Sequence, residues 1–267
     1  MLVFSKPLPF VQFSCLRDTF GDGYDFLELR EYQYNQDARF IAPLASLKYG
    51  RPMVKTYSTQ AFSYVHICLF VSKSLLLGKP RKLEFISRIC EILLQSAAFY
   101  QLKALVHILD SKAIRTLDNA LDISRFLDEC KNVTLAQRET FTKLPFSYGL
   151  HFLLTQRHKK GLMVLLGDFF ELDFSLNPQV LHSSFKHSLL LYGLCVRDKS
   201  EIDPKPGFCV QDVESNQVYA SMISYKLYEQ RLRAYNAKLQ SYFANLGAHF
   251  SLLSTQDELP QALQRIF

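Results

Sequence analysis

The chain has no tryptophan, no Cys-x-x-Cys pair and no apolar run long enough to cross a bilayer. A spanning helix needs about 20 consecutive apolar residues, and the best stretch here, Val65 to Leu77, is broken by Lys73. No transmembrane segment is expected. Met1 to Phe10 holds two prolines and no apolar stretch of signal-peptide length, so no leader is expected either. The six cysteines (15, 68, 90, 130, 195 and 209) match no zinc-ligand spacing. Cys68 and Cys195 lie inside apolar runs, where a thiol behaves as a small hydrophobe. A reducing cytoplasm suits this usage. The seven histidines form no His-Glu-x-x-His pattern, no glycine-rich phosphate loop follows an apolar strand, and no Gly-x-Ser-x-Gly elbow is present. Zinc proteolysis, nucleotide binding and α/β-hydrolase chemistry therefore have no support, and no cofactor is expected. Charge of one sign is lacking too. The net charge of +6 is spread among acidic residues. The longest basic cluster, Arg157-His158-Lys159-Lys160, reads as a solvated helix end rather than a nucleic-acid surface.

Apolar material is plentiful. At 267 residues and 48% hydrophobic, the chain can build one large α/β domain with at most a small appendage. It is organised around Tyr64 to Ser74. Val65 to Val71 is a near-continuous run of Val, Ile, Leu and aromatic residues, as expected of a strand buried on both faces. It ends in Ser72-Lys73-Ser74 and leads to a charged helical segment over Arg81 to Gln101. Further buried strands are expected at 102–109, 161–168, 188–196 and 248–253. Helices are expected at 119–131, 146–158, 177–186, 225–246 and 257–267. Gly247 is the expected C-cap of the long helix, and Thr255 or Asp257 the N-cap of the last. A hairpin is expected over 208–222, turning at 214–217. Strands alternating with helices imply an α/β fold: a doubly wound, mainly parallel sheet. Small hydroxyl residues closing a central strand mark where such sheets place a site.

Residues 1–60 have a different rhythm, rich in aromatic residues, turn residues and paired charges. Gly21-Asp22-Gly23 and Lys48 to Pro52 read as turns, and Met53 to Tyr57 as a short strand. This region is expected to be an extension packed on the main domain, residues 61–267.

Several stretches, in order, resemble one bacterial family. Gly23-Tyr24-Asp25-Phe26-Leu27-Glu28-Leu29-Arg30-Glu31-Tyr32, Asp37-Ala38-Arg39-Phe40-Ile41 and Gly50-Arg51-Pro52-Met53-Val54-Lys55 are similar to the opening signature of domain-of-unknown-function family 58. Ser72-x-Ser74 looks like that family's "D-x-S-x-S" segment, and Leu165-Leu166-Gly167-Asp168-Phe169 like its "I-S-D-F" segment. The resemblance implies a von Willebrand factor A-like domain. It also implies a protein partner, a MoxR-type AAA+ ATPase, acting on a client complex under assembly or activation. In the family these segments build a metal-ion-dependent adhesion site. Here Phe70 stands at the first aspartate. Thr134, Thr140 and Thr142 are the candidates for its threonine, and none has the family's context. Ser72, Ser74 and Asp168 remain of a five-part constellation.

The expectation is thus a non-catalytic, cytoplasmic interaction module with a degenerate adhesion site and no bound metal. A hard divalent cation wants several anionic oxygens, and these residues offer one carboxylate. The loops Ser72 to Gly78 and Asp168 to Asp173 leave the same sheet edge and are expected to form one contact surface. Ser72, Lys73, Ser74, Asp168 and Phe170 are its binding residues. Phe169 and Phe174 either join that surface or turn inward as core. Two alternatives stay open: an enzyme acting at the strand ends around Ser72 and Asp168, and a structural paralogue that has lost its site.

Overall fold

The computed structural model describes residues 20–33, 38–58, 64–109, 114–132, 146–156, 159–170, 172, 174–185, 188–202, 210–211, 218–219 and 225–267. The chain divides into two compact units at residues 62–63.

In the first unit, β1 (Phe20–Glu31) runs antiparallel to β2 (Met53–Ser58), with α1 (Pro43–Tyr49) between them. The stretch Gly21-Asp22-Gly23, expected as a turn, lies inside β1. Phe20 and Asp25 both register with Ser58, so the residues between them form a bulge in one strand. Helix α1 was not expected. It starts at Pro43, where a missing N–H is harmless, and closes at Gly50 with φ of 64°. Its leucines Leu44 and Leu47 are exposed, so it carries no buried stripe for a periodicity to reveal. The Ser46 hydroxyl donates to the Ala42 carbonyl at 2.9 Å and accepts the Met53 N–H at 2.9 Å, tying α1 to β2.

The second unit runs β3 (Tyr64–Phe70), α2 (Lys82–Phe99), β4 (Lys103–Leu109), β5 (Ile114–Leu117), α3 (Ala120–Asn132), α4 (Phe146–Thr155), β6 (Gly161–Gly167), α5 (Pro178–Phe185), β7 (Leu189–Arg197), α6 (Lys199–Ile202), β8 (Val210–Gln211), β9 (Val218–Tyr219), α7 (Tyr225–Asn245), β10 (His249–Ser254) and α8 (Leu259–Ile266). Six strands form one sheet in the order β10-β7-β6-β3-β4-β5. All neighbours are parallel except β5, which is antiparallel to β4. This is the α/β fold class expected, and the five expected core strands are all present. The extra strand β5 has four residues and no apolar run, which hid it. Strands β8 and β9 pair as the expected hairpin, whose turn lies outside the described residues. None of the helices among the described residues is long and apolar enough to cross a membrane.

Burial explains the unbroken apolar runs. All seven residues of β6 are buried. On one sheet face, Cys68, Met163, Leu165, Leu191 and Cys195 pack with residues of α4, α5 and α7. Val65, Ile67, Leu69, Val164 and Leu194 alternate with them and are buried on the other face, while α2 and α3 pack together and bury Leu83, Ile86, Ile89, Leu93 and Leu127. Gly247 closes α7 with φ of 74°, as expected. Thr255 and Asp257, expected to cap α8, turn elsewhere. The Thr255 hydroxyl donates to Asp198 Oδ1 at 3.2 Å, and the Asp257 carboxylate accepts the Ser254 N–H at 2.7 Å.

His66 and His107 are buried side by side on β3 and β4, their rings stacked with centroids 5.4 Å apart. One tautomer assignment satisfies the following three contacts. His66 Nε2 donates to the Lys159 carbonyl at 3.3 Å, His107 Nε2 donates to His66 Nδ1 at 3.1 Å, and Thr116 donates to His107 Nδ1 at 2.9 Å.

Gly161 opens β6 where the backbone of β3 comes closest. A Cβ there would stand 2.2 Å from the Tyr64 carbonyl oxygen, a backbone atom held by the sheet. Gly161→Ala is therefore expected to lower unfolding stability by about 1–3 kcal/mol or more, measured by urea denaturation. Gly50→Ala, whose Cβ would meet nothing within 4 Å, should show only the smaller cost of a left-handed residue.

Candidate functional site at the carboxyl edge of the sheet

Strands β3 and β6 are neighbours at the centre of the sheet. The chain leaves β3 through α2 towards β4 on one side, and leaves β6 through α5 towards β7 on the other. Their exit loops therefore diverge and open a crevice at the carboxyl edge, where open α/β sheets hold ligands. The β3 loop is pinned beneath by Leu75 and Leu76, both buried in a single 3-10 turn over Lys73–Leu76. Gly78 ends it with φ of 99°. A Cβ at that position would stand 2.7 Å from Asp198 Oδ1, so only glycine lets the loop lie this close to the end of β7.

The crevice brings three of the expected residues together. The Ser74 hydroxyl donates to Asp168 Oδ2 at 2.5 Å, and Ser72 Oγ lies 2.8 Å from Ser74 Oγ and 3.5 Å from Asp168 Oδ1. Residues 72 and 168 are far apart in sequence, and only the pairing of β3 with β6 joins them.

Residues not singled out from the sequence complete the cluster. Lys82, the first residue of α2, has no solvent-exposed surface. Its ammonium donates to Asp168 Oδ2 at 3.0 Å and to Glu201 Oε1 at 2.6 Å. The other Glu201 oxygen accepts the Asp198 N–H at 3.0 Å, the reach-back half of a capping box at the start of α6. Arg197, wholly buried, donates to the Asp168 carbonyl and to Asn236 Oδ1 at 3.4 Å. The Tyr228 hydroxyl donates to the Glu201 carbonyl at 3.0 Å and the Tyr235 hydroxyl to the Phe169 carbonyl at 2.6 Å. Two sequence signals pointed here. Asp198-x-x-Glu201 has capping-box spacing directly after a buried strand. A lysine in the first turn of a helix opposes the helix dipole and needs a compensating anion.

Burial alone would raise the Asp168 pKa. The Lys82 ammonium, the Ser74 hydroxyl and the Arg197 guanidinium overcome it and hold the carboxyl below its usual range. Burial likewise works against the charged form of Lys82, but Asp168 and Glu201 outweigh it and hold the amine above its usual value. Burial pushes the Cys195 thiol up to about 12, which makes it inert as a nucleophile. It does the same to Tyr235, also up to about 12.

The three phenylalanines of the β6 loop have separate fates. Phe169 turns inward as core, between Phe70 and Phe243 at ring distances of 5.9 and 5.3 Å. Phe174 is half-buried against Tyr235 and Tyr242. Phe170 alone keeps an open face, being 37% exposed. Its ring centre lies 3.6 Å from the Arg197 guanidinium carbon and 5.5 Å from the Lys82 ammonium, so it roofs both cations. Phe169 and Phe174 both take left-handed backbone conformations, with φ of 53° and 54°. Phe70, where the family signature has an aspartate, packs against the core cluster. Lys73 is half-exposed on the β3 loop. Thr134, Thr140, Thr142, Glu171 and Asp173 lie outside the described residues.

No family model matches the chain, and no curated protein matches it. Among solved structures it is similar to an aerotolerance-related membrane protein from Bacteroides fragilis carrying several substitutions to serine. The two are 13% identical, the match covers 76% of this chain and 96% of that one, and the TM-score is 0.48. It is also similar to the VWA domain of SpRpn10, at 10% identity, covering 77% of this chain and 94% of that one, with a TM-score of 0.42.

Because the folded pKa of Asp168 is depressed, its contribution to stability is full above about pH 4, the unfolded value, and is lost as pH falls through the folded one. Asp168→Asn should cost about 3 kcal/mol at neutral pH, the low end for a buried pair that loses one partner, because Glu201 still faces Lys82. The gap between wild type and variant should narrow as pH drops below about 4. Urea unfolding across that range measures both. A gap that does not change with pH would show that Asp168 is not ionised in the fold.

Proposed function

We propose that this chain is a non-catalytic protein-interaction module of the von Willebrand factor A-like type, working in the cytoplasm through a degenerate metal-ion-dependent adhesion site at the β3/β6 edge. Its partner, by the resemblance of the opening signature and strand-end segments, is a MoxR-type AAA+ ATPase acting on the assembly or activation of a client complex. One observation carries the reading. The Asp168 and Glu201 carboxylates and the Ser72 and Ser74 hydroxyls of the crevice are engaged by its own groups, while Phe170 above them presents a half-exposed aromatic face.

The engagement of Asp168 by Ser74 and Lys82 argues against catalysis at Ser72 and Asp168. A serine nucleophile needs a base free to take its proton, and a carboxylate held below its usual pKa by two cations is a poor base near neutrality. Docking makes no such demand. An edge whose buried carboxylates are held by its own cations, bearing an aromatic residue and the basic Lys73, is suited to the centre of an interface, where aromatic anchors dominate affinity. The loops bearing them are held by buried side chains, so little ordering cost is left to binding.

The test begins with co-purification from the native host and identification of bound proteins by mass spectrometry. Direct titration of the purified ATPase then follows with wild type, Lys73→Glu and Phe170→Ala. Each substitution is expected to weaken binding at least about tenfold, equivalent to roughly 1.4 kcal/mol, with the circular dichroism spectrum unchanged. Wild-type affinity in both variants would remove the surface from consideration, and absence of a MoxR-type ATPase among the bound proteins would remove the partner.

A further inference from the structure

The residues of this edge do not fit a divalent metal. Such an ion wants about six oxygen ligands in near-octahedral array, with anionic oxygens to offset its dehydration. Phe70 places an aromatic ring in the core where the signature has an acid. The one carboxylate between the two hydroxyls, Asp168, already accepts the Ser74 hydroxyl and the Lys82 ammonium on the same oxygen, Oδ2. Among the described residues, no group of three His, Cys, Asp or Glu side chains stands close enough to hold a metal.

A cation is nevertheless present. Lys82 is fully buried, and its two anionic partners come from two other segments: Asp168 after β6 and Glu201 in α6. A lysine at the start of a helix gains nothing from the helix dipole, so its burial depends on those carboxylates. Lys82, Asp168 and Glu201 together sum to one negative charge, and adding Arg197 and Asp198 leaves that sum unchanged. A further divalent ion would leave an excess positive charge beside the buried Lys82 and Arg197 under Phe170. We infer that the Lys82 ammonium is the permanent cation of this edge, standing in the role that the family resemblance gives to a metal ion, so that the site carries its own cation and is metal-independent. The inference deepens the degenerate-adhesion-site reading and does not depend on any partner docking there.

The experiment uses the full chain and Mn²⁺ as probe, followed by calorimetric titration, by the electron paramagnetic resonance signal of free Mn²⁺, and by thermal melting with and without the ion. Wild type is expected to bind no stoichiometric Mn²⁺ at micromolar concentrations and to melt at the same temperature in millimolar ion. Lys82→Ala should melt several degrees lower, recover part of that loss in millimolar Mn²⁺, and take up one ion per chain. Lys82→Ala combined with Asp168→Asn should show no such recovery. Micromolar Mn²⁺ binding by wild type that disappears in Asp168→Asn would overturn the inference, as would a Lys82→Ala protein that gains no response to Mn²⁺.

Should Lys82→Ala fail to fold at all, the charge-neutral triple variant Lys82→Met with Asp168→Asn and Glu201→Gln decides the matter. Recovery of a cooperative melt relative to Lys82→Met alone supports a charge-compensating role. No recovery shows that the lysine matters for packing only, and overturns the inference. Loss of ATPase binding in Lys73→Glu with the Mn²⁺ responses as expected would bear on docking alone.

Discussion

The structure depends on one buried contact, the Lys82 ammonium against the Asp168 carboxylate, with Glu201 as the second anion. Each group pays a large desolvation penalty on leaving water, and their attraction repays it only where geometry is close and the remaining lone pairs and protons are satisfied. The distances are short, and both carboxylates find further donors. Ser74 and Ser72 face the carboxylate, the Asp198 N–H occupies the far oxygen of Glu201, and the Phe170 ring covers the cations. The contact joins the start of α2, the loop after β6 and the helix after β7. Those segments are separated in sequence by 86 and 119 residues counted from Lys82. Removing one charge leaves the buried ones without their partner, which makes this a contact for uniqueness of structure as much as for stability.

The sheet makes that contact possible. The diverging exits of β3 and β6 leave room for a polar cluster above a largely apolar core. The loop after β6 then accepts two left-handed phenylalanines, each costing of order 1–3 kcal/mol. The fold holds them through side chains: the Phe169 ring is locked among Phe70, Phe243 and the core cluster, and the Tyr235 hydroxyl fixes the Phe169 carbonyl. With Phe169 inward, the next residue, Phe170, is directed onto Arg197. The half-exposed aromatic face at the edge is thus a consequence of core packing one residue earlier.

Strands β3, β6 and β7 were legible because each is buried on both faces and reads as a near-continuous apolar run, β6 most clearly; β4 and β10 are more exposed and were legible from shorter apolar stretches between helices. Helices α2 and α7 were legible from their stripes, and Gly247 from its place after the last turn. The elements that escaped, α1 and β5, bury little, so no periodicity marks them. The Gly21-Asp22-Gly23 bulge reads locally as a turn because glycine serves both, and only pairing with β2 distinguishes them. At the site, Ser72, Ser74 and Asp168 were found because they terminate recognisable strands. Lys82, Arg197 and Glu201 were not: the capping-box spacing of Glu201 and the helix-start place of Lys82 are local signals that do not say which charges are buried together.

By itself the sequence determined the α/β class, the register of apolar runs that makes the sheet parallel and doubly wound, and the edge at which polar groups gather. These follow from hydrophobic burial and from the different periods of strand and helix, which are local properties. Only the tertiary structure decided which charges meet, that Phe169 points in while Phe170 points out, and that a lysine of this chain neutralises the aspartate at the centre of the edge. Electrostatic partners are chosen by distance in a low-dielectric interior, and that distance is set by the packing of strands and helices far apart along the chain.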